Sequence, residues 1–153
     1  MNDPDAPLRL DIPEALRCAR YRIEARALTA VHWPAFAGSM LRGAFGHALR
    51  RLVCVTGQPE CDGCPVLGAC PYPHIFETPA PAGARRSYSR VPPGFVLQPP
   101  QRGEGCLRPG EPTTFHLVLL DRATAHRDLA RSALQSALAT GLGREHGRLQ
   151  LAG

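Results

Sequence analysis

Four of the chain's six cysteines fall within the stretch CVTGQPECDGCPVLGAC, residues 54–70, with the spacing C-x6-C-x2-C-x5-C. Glycines, prolines and an aspartate between them favour tight turns, so Cys54, Cys61, Cys64 and Cys70 can converge on one metal ion. Four thiolates suit tetrahedral zinc, and an iron–sulfur cluster uses the same ligands. Free thiols and two disulfides are the other interpretations. A reducing compartment favours a metal over both of them.

The N-terminus carries no sign of export. The stretch MNDPDAPLRLDIPEAL is acidic and interrupted by prolines, and it lacks the basic region and apolar run of a secretory signal. No apolar stretch approaches the ~20 residues that span a bilayer. We therefore predict a cytoplasmic protein. In that setting the cysteine loop predicts a structural metal, because four protein thiolates leave no open coordination position.

The net charge is +5, and all 18 basic residues are arginines. Codon usage in a GC-rich gene explains most of this bias, since Arg, Ala, Gly and Pro are all abundant. The consequence is a set of planar guanidinium groups, which suit phosphate contacts and base stacking. No lysine is present to act as a catalytic base, and a basic balance is compatible with a nucleic-acid partner.

The hydrophobic pattern predicts the order strand, helix, two strands, helix, strand, which is the α+β, ferredoxin-like βαββαβ arrangement. Residues 54–70 form a Cys-rich insertion, and a Pro/Gly-rich loop at 71–112 blurs the middle strands. One ferredoxin-like domain is predicted over residues 18–153, after an N-terminal arm at 1–17. The predicted elements are a strand at 20–27, a turn at 29–36, a helix at 39–53 with Ser39 as N-cap, short strands near 74–77 and 94–98, a strand at 113–120, a helix at 124–140 that ends at Gly141, and a strand at 147–153.

The first helix is predicted to be amphipathic and to leave its basic face in a direction set by the cysteine loop. At helical spacing the apolar and polar residues separate into two arcs. The apolar arc holds Leu41, Ala44, Phe45, Ala48, Leu49 and Leu52, and the polar arc holds Arg42, Gly43, His47, Arg50 and Arg51.

The stretch GSMLRGAFGHALRRLVCVTGQPECDGCPVLGACPYPHIFETP resembles the N-terminal part of the CRISPR repeat-processing endoribonucleases of the RAMP superfamily. VPPGFVLQPP, TFHLVLLDRA and GLGREHGRLQL are similar to the same family in the same order, so the resemblance covers roughly residues 20–151. It implies a ferredoxin-like RNA-recognition fold, usually in two copies per chain, that binds CRISPR repeat RNA and cuts it once per repeat. A homodimer or another CRISPR complex subunit is then expected to supply the second half. The resemblance also implies an RNA-contacting glycine-rich loop, which GLGREHG at 141–147 resembles.

The resemblance further implies that His47 is catalytic, because many members carry a histidine on this helix. An imidazole can take the 2′-hydroxyl proton or protonate the leaving 5′-oxygen without a metal, giving a 2′,3′-cyclic phosphate. Arg50 and Arg51 follow at i+3 and i+4, where they can face the same phosphate. A solvated surface histidine is the alternative interpretation. The expected RNA contacts are Arg42, Arg50, Arg51, Arg144 and Arg148.

Three functions follow from these patterns. The first is a metal-independent endoribonuclease for CRISPR repeats. The second is a non-catalytic RNA-binding or assembly subunit, or truncated homologue, of a CRISPR complex. The third is a small zinc-binding interaction module unrelated to RNA. Of the other histidines, His32 is expected to pack on Trp33, His116 to lie on the wet face of a strand and His126 on a helix surface. His146, in the glycine-rich loop, is a candidate for contact with RNA.

Overall fold

A computed structural model describes residues 15–77, 92–101 and 103–152 of the chain. The predicted N-terminal arm lies outside the described residues except for 15–17, and so does the middle of the Pro/Gly-rich loop at 78–91. No helix within the described ranges is both long and apolar enough to cross a membrane.

A four-stranded antiparallel sheet in the order β3-β5-β1-β6 is the centre of the fold. Its two longest strands pair from Cys18 opposite Leu120 to Arg26 opposite Pro112. A separate pair, β2 and β4, forms a small second sheet. The strands are β1 (Cys18–Ala27), β2 (Val31–Trp33), β3 (Phe95–Gln98), β4 (Gly105–Leu107), β5 (Pro112–Leu120) and β6 (Leu149–Leu151).

Within the described ranges three helices join these strands, namely α1 (Ala37–Val53), α2 (Pro71–Ile75) and α3 (Arg127–Thr140), and a 3₁₀ turn at Asp121–His126 precedes the last. The apolar arcs of α1 and α3 pack together and against one face of the sheet, which buries a single core. This sheet order with two helices on one face confirms the predicted α+β ferredoxin-like fold. Among the largest fully buried side chains are Phe45, Leu49, Phe115, Leu134 and Leu138.

The other face of the sheet is polar, because successive side chains of a strand point to opposite faces. Along β1, Ala25 and Ala27 are buried while Arg22 and Arg26 are exposed. On β5, His116 stands opposite Arg22 and is half-buried. We call this surface the open sheet face, and it lies on the side of the sheet away from α1.

Three predicted local structures are wrong. The helix α1 begins at Ala37 rather than at 40, and Ser39 lies inside its first turn, because the turn after Trp33 already directs the chain into the helix. Residues 74–77, predicted as a strand, instead contain the end of α2 and the turn after it, because Pro71 at the first helical position pre-sets the backbone for α2. The predicted turn at 29–36 contains β2, since Val31 and Trp33 are buried and pair with β4.

Candidate functional site

The polar arc of α1 divides into two rows that face different parts of the fold. At roughly 100° per residue, Arg42, Gly46 and Arg50 fall within about 80° of one another. Met40, His47 and Arg51 fall within about 40° on the next part of the helix surface. We call these the arginine row and the histidine row. The single basic face predicted from the sequence is therefore two surfaces.

The arginine row packs against an aromatic cluster. The Arg42 guanidinium carbon lies 4.6 Å from the ring centroid of Phe76 and 5.2 Å from that of Phe95. A Cβ on Gly46 would come 2.5 Å from the Phe76 ring, so this ring rests directly on the helix backbone. Arg42 is thus held by cation–π contacts that leave the edge of its guanidinium for an anion.

At the far end of this row, Arg50 joins α2 to the cysteine loop. Its guanidinium carbon lies 5.9 Å from the ring centroid of Tyr72, and one of its terminal nitrogens donates to the carbonyl of Gln58. Burial, followed by the Glu77 carboxylate, raises the pKa of Tyr72 to about 12, so its phenol stays neutral at ordinary pH. The Tyr72 ring and the Gln58 carbonyl therefore set the position of the Arg50 guanidinium.

The histidine row lies beside the end of α3. A terminal nitrogen of Arg51 lies 3.5 Å from the hydroxyl of Thr140, the last residue of α3. At the other end of the row, the Met40 sulfur lies 3.1 Å from where a Cβ on Gly143 would stand. The exposed His47 sits between these two contacts on the helix surface. The fold therefore places His47 next to the glycine-rich loop that follows α3.

This loop, residues 141–147, is closed and compact. Leu142 and Gly147 exchange backbone hydrogen bonds of 2.8 and 3.0 Å across its neck. Gly141 has φ +121°, and a Cβ there would meet the carbonyl oxygen of His146 at 2.6 Å. A Cβ on Gly147 would meet the Ala30 carbonyl oxygen at the same distance, so both positions require glycine. Gly141 and Gly147 pack closely against the neighbouring backbone, and residues 143–146 between them are exposed at the surface.

His32 anchors the tip of the loop. Its Nε2 lies 2.9 Å from a carboxylate oxygen of Glu145 and 3.9 Å from the sulfur of Cys106. His32 is exposed and paired, rather than packed on Trp33 as expected. Sequence reasoning missed Glu145, because a loop has no periodicity that would assign its residues to partners. The glycines on either side were the only signal of a built loop.

The five arginines expected to contact RNA do not form one cluster. Arg144 and Arg148 are exposed on the glycine-rich loop and just after it, and Arg51 touches the end of α3. The backbone of Arg148 is fixed, since its N–H donates to the Thr29 hydroxyl at 2.9 Å. Arg42 and Arg50 belong to the arginine row. The five are therefore divided between the arginine row, the histidine row and the glycine-rich loop with the residue that follows it.

The cysteine loop surrounds a small cavity of its own. Cys54, Cys61, Cys64 and Cys70 all line this space of about 20 Å³, and all are free thiols. Hydrogen bonds from the Gly57 backbone and the Thr56 hydroxyl lower the pKa of Cys54, while burial raises that of Cys61. In the part of the chain described, no three His, Cys, Asp or Glu side chains stand arranged around a metal position.

The open sheet face carries His116, whose pKa is lowered from its ordinary value. Burial, and then the charges of Arg20 and Arg22, lower the pKa of His116. Arg20 is itself held by Gln98, whose side-chain oxygen accepts from its Nε at 3.0 Å. His116 therefore reports on the positive charge of this face, and it stands apart from the histidine row.

Comparisons with known proteins agree with this architecture. A family model described as the AF_1859_N N-terminal domain matches residues 16–153. A chain in the crystal structure of the Csm3-Csm4 subcomplex in the type III-A CRISPR-Cas interference complex is similar in structure, with a TM-score of 0.50 and 17% sequence identity, over 88% of this chain and 75% of that chain. At that identity the likeness shows a shared fold. The search of curated proteins gives no match.

Proposed function

The chain belongs to the AF_1859_N family of N-terminal domains. From its fold, its site and the resemblance of its sequence we propose that it binds CRISPR repeat RNA as part of a CRISPR-associated assembly. The observation that carries the proposal is the position of His47 between the Met40–Gly143 and Arg51–Thr140 contacts. In this arrangement the His47 imidazole lies on the part of α1 that contacts the end of α3 and the glycine-rich loop, where arginines are exposed. The related fold belongs to a protein solved within a CRISPR interference complex.

The RNA is held mainly through its phosphates. Arg144 and Arg148 are exposed at the glycine-rich loop and just after it, and Arg51 lies on α1 beside the end of α3. The aromatic rings near the arginine row are not free for base stacking, since Phe76 and Phe95 pack on each other with centroids 5.3 Å apart and already contact Arg42. Binding dominated by phosphate contacts weakens steeply with salt.

The reaction that fits this site is metal-independent cleavage. His47 takes the proton of a ribose 2′-hydroxyl, whose oxygen attacks the adjacent phosphorus while the bond to the 5′-oxygen breaks. The products are a 2′,3′-cyclic phosphate and a 5′-hydroxyl, whose oxygen takes its proton from solvent water as the bond to phosphorus breaks. Arg51, one turn further along the histidine row, stabilises the charge that develops on the phosphate oxygens.

A non-catalytic RNA-binding subunit is the second candidate. It is favoured by the surroundings of His47, whose ring makes no hydrogen bond or ion pair to any residue within 15–77, 92–101 and 103–152. Acid–base cleavage needs both a proton acceptor and a proton donor. For cleavage to occur, the second copy in a homodimer or another CRISPR complex subunit would have to supply the missing proton donor or acceptor. The same partner would supply the other half of the RNA cleft.

Single-turnover cleavage of repeat RNA in chelator tests the proposal. We expect His47→Ala to lose on the order of 10²–10⁴ in rate while RNA affinity is retained. His116→Gln, on the open sheet face, is the matched control and should cleave as wild type does. Equal cleavage by wild type and His47→Ala removes His47 from the mechanism, and RNA binding without cleavage by either establishes the non-catalytic subunit. Absence of RNA binding overturns both.

Sedimentation of the protein with and without repeat RNA tests the assembly. We expect the RNA-bound species to contain either two copies of the chain or a partner subunit, because a single small sheet with few arginines offers limited contact. A strict monomer that binds repeat RNA tightly contradicts this expectation.

A further inference from the structure

We propose that Cys54, Cys61, Cys64 and Cys70 bind one zinc ion and that Arg50 is the counter-ion of this metal centre. The proposal does not depend on RNA binding and stands if that function fails. All four cysteines and Arg50 line the same cavity. The 17-residue loop from Cys54 to Cys70 is long enough for its cysteines to point in different directions, so their convergence is informative. Four cysteines around one space are the ligand set of a closed, structural zinc site.

The backbone between the cysteines already has the turns that such a site needs. The N–H of Cys64 donates to the carbonyl of Cys61 at 3.1 Å, which closes the CDGC turn, and Gly63 within it has φ +70°. The Thr56 hydroxyl lies 3.9 Å from the sulfur of Cys54 and 3.7 Å from that of Cys64. The first and third ligands therefore share one small group as a neighbour.

Both ends of the loop are fixed by hydrogen bonds to the backbone. The N–H of Cys54 donates to the Arg50 carbonyl at 2.8 Å at the end of α1, and that of Cys70 donates to the Val66 carbonyl at 2.9 Å just before α2. The sulfurs of a tetrahedral site stand about 2.3 Å from the metal. Drawing them together thus requires movement only of the irregular segment between two anchored cysteines.

The cavity is compatible with a single ion. About 20 Å³ is room for one water-sized species. An iron–sulfur cluster contains several irons and bridging sulfides, and it needs more space between the same four ligands. Zinc also prefers an all-thiolate tetrahedral set and needs no redox partner.

The charge of the loaded site explains the position of Arg50. Binding releases the proton of each thiol to solvent, so that Zn²⁺ with four thiolates carries a net negative charge. Arg50 lines the cavity, donates to the Gln58 carbonyl within the loop and lies over the Tyr72 ring. Its guanidinium is therefore placed to neutralise this centre, as groups surrounding metal ligands commonly do. Arg50 is thereby assigned to the metal site rather than to RNA.

Metal analysis of the purified full chain, with zinc, iron and acid-labile sulfide measured together, tests the ligand set. We expect about one zinc per chain, from four ligands per ion. Titration of metal-free wild-type protein with Co²⁺ should give the intense visible absorption of tetrahedral cobalt–thiolate coordination, lost again on addition of Zn²⁺. Cys106→Ser, outside the loop, should keep both signals, and Cys61→Ser should lose them. Iron with sulfide, or no cobalt–thiolate spectrum in wild type, overturns the proposal.

A second variant tests the counter-ion. We expect Arg50→Gln to lower zinc affinity by about 10- to 100-fold, measured by competition with a chromophoric chelator. Arg144→Gln, at the glycine-rich loop, is the matched loss of one positive charge and should leave zinc affinity unchanged. Equal zinc affinity of Arg50→Gln and wild type removes Arg50 from the metal centre while the four-cysteine site stands.

Discussion

The imidazole of His32 on β2 lies 2.9 Å from the carboxylate of Glu145 at the tip of the glycine-rich loop. This contact ties the loop to the small second sheet, and the close approach of Gly143 to Met40 ties it to α1. The loop is thus attached on two sides, next to the histidine row. Its position is set by residues that are distant in sequence.

The loop anchor is expected to affect local order more than global stability. Both side chains of the His32–Glu145 pair are more than half exposed, and such pairs contribute about 0.2–1 kcal/mol. Glu145→Gln should therefore lower the free energy of unfolding in urea by no more than this, while amide exchange in residues 142–147 becomes faster. Unchanged exchange would show that the glycine packing alone holds the loop.

Gly46 and Gly43 provide a matched pair on α1. We expect Gly46→Ala to destabilise the protein by about 1–3 kcal/mol, because the new methyl group would overlap the Phe76 ring. Gly43→Ala meets nothing within 4 Å and should stabilise the helix by up to about 1 kcal/mol. Chemical denaturation of both variants is the measurement, and equal effects would contradict this packing.

His116 predicts a loss of stability on the acid side. Its folded-state pKa is lowered, by burial and then by Arg20 and Arg22, from an ordinary value of 6.5. As the pH falls below that value, the unfolded chain takes up a proton before the folded one does, so stability decreases until the folded-state pKa is passed. His116→Gln should lose less stability than wild type as the pH falls from neutral through 6.5, because only the wild type has this histidine with a lowered folded-state pKa. An identical decrease in both proteins would assign the effect to other groups.

The salt dependence of RNA binding separates the glycine-rich loop from the arginine row of α1. We expect Arg144→Gln and Arg148→Gln each to reduce the slope of log affinity against log salt by about 1, as for the loss of one phosphate contact. Arg50→Gln should leave the slope unchanged, because its guanidinium is engaged by Gln58 and Tyr72. Equal slopes for all three variants would place RNA elsewhere on the chain.

Regular periodicity was sufficient to predict most of the fold. The alternation in β1 and β5 and the helical spacing in α1 and α3 gave correct elements within a few residues, because each places apolar side chains on one face. Gly141 was correctly predicted to follow the last helix. The order of these elements then predicted the ferredoxin-like sheet, since few arrangements of them bury all the apolar faces together.

Local pattern failed where tertiary contacts outweighed it. The strand β2 is too short to show a period, and it exists because β4 pairs with it and the core takes up Val31 and Trp33. A helical period places the arginine and histidine rows on one polar arc, but it cannot say which neighbours face each part. That division was decided by the aromatic cluster on one side and the glycine-rich loop on the other.

The sequence by itself therefore determined the fold class, the cysteine spacing and the residue types available for chemistry. Those properties reside in hydrophobic periodicity and short-range spacing, which act along the chain. Only the tertiary structure decided that Glu145 meets His32, that Thr140 meets Arg51 and that Arg50 lies at the cysteine cavity. These pairings join side chains from separate elements, and they form because burial of the common core brings the surfaces of those elements together.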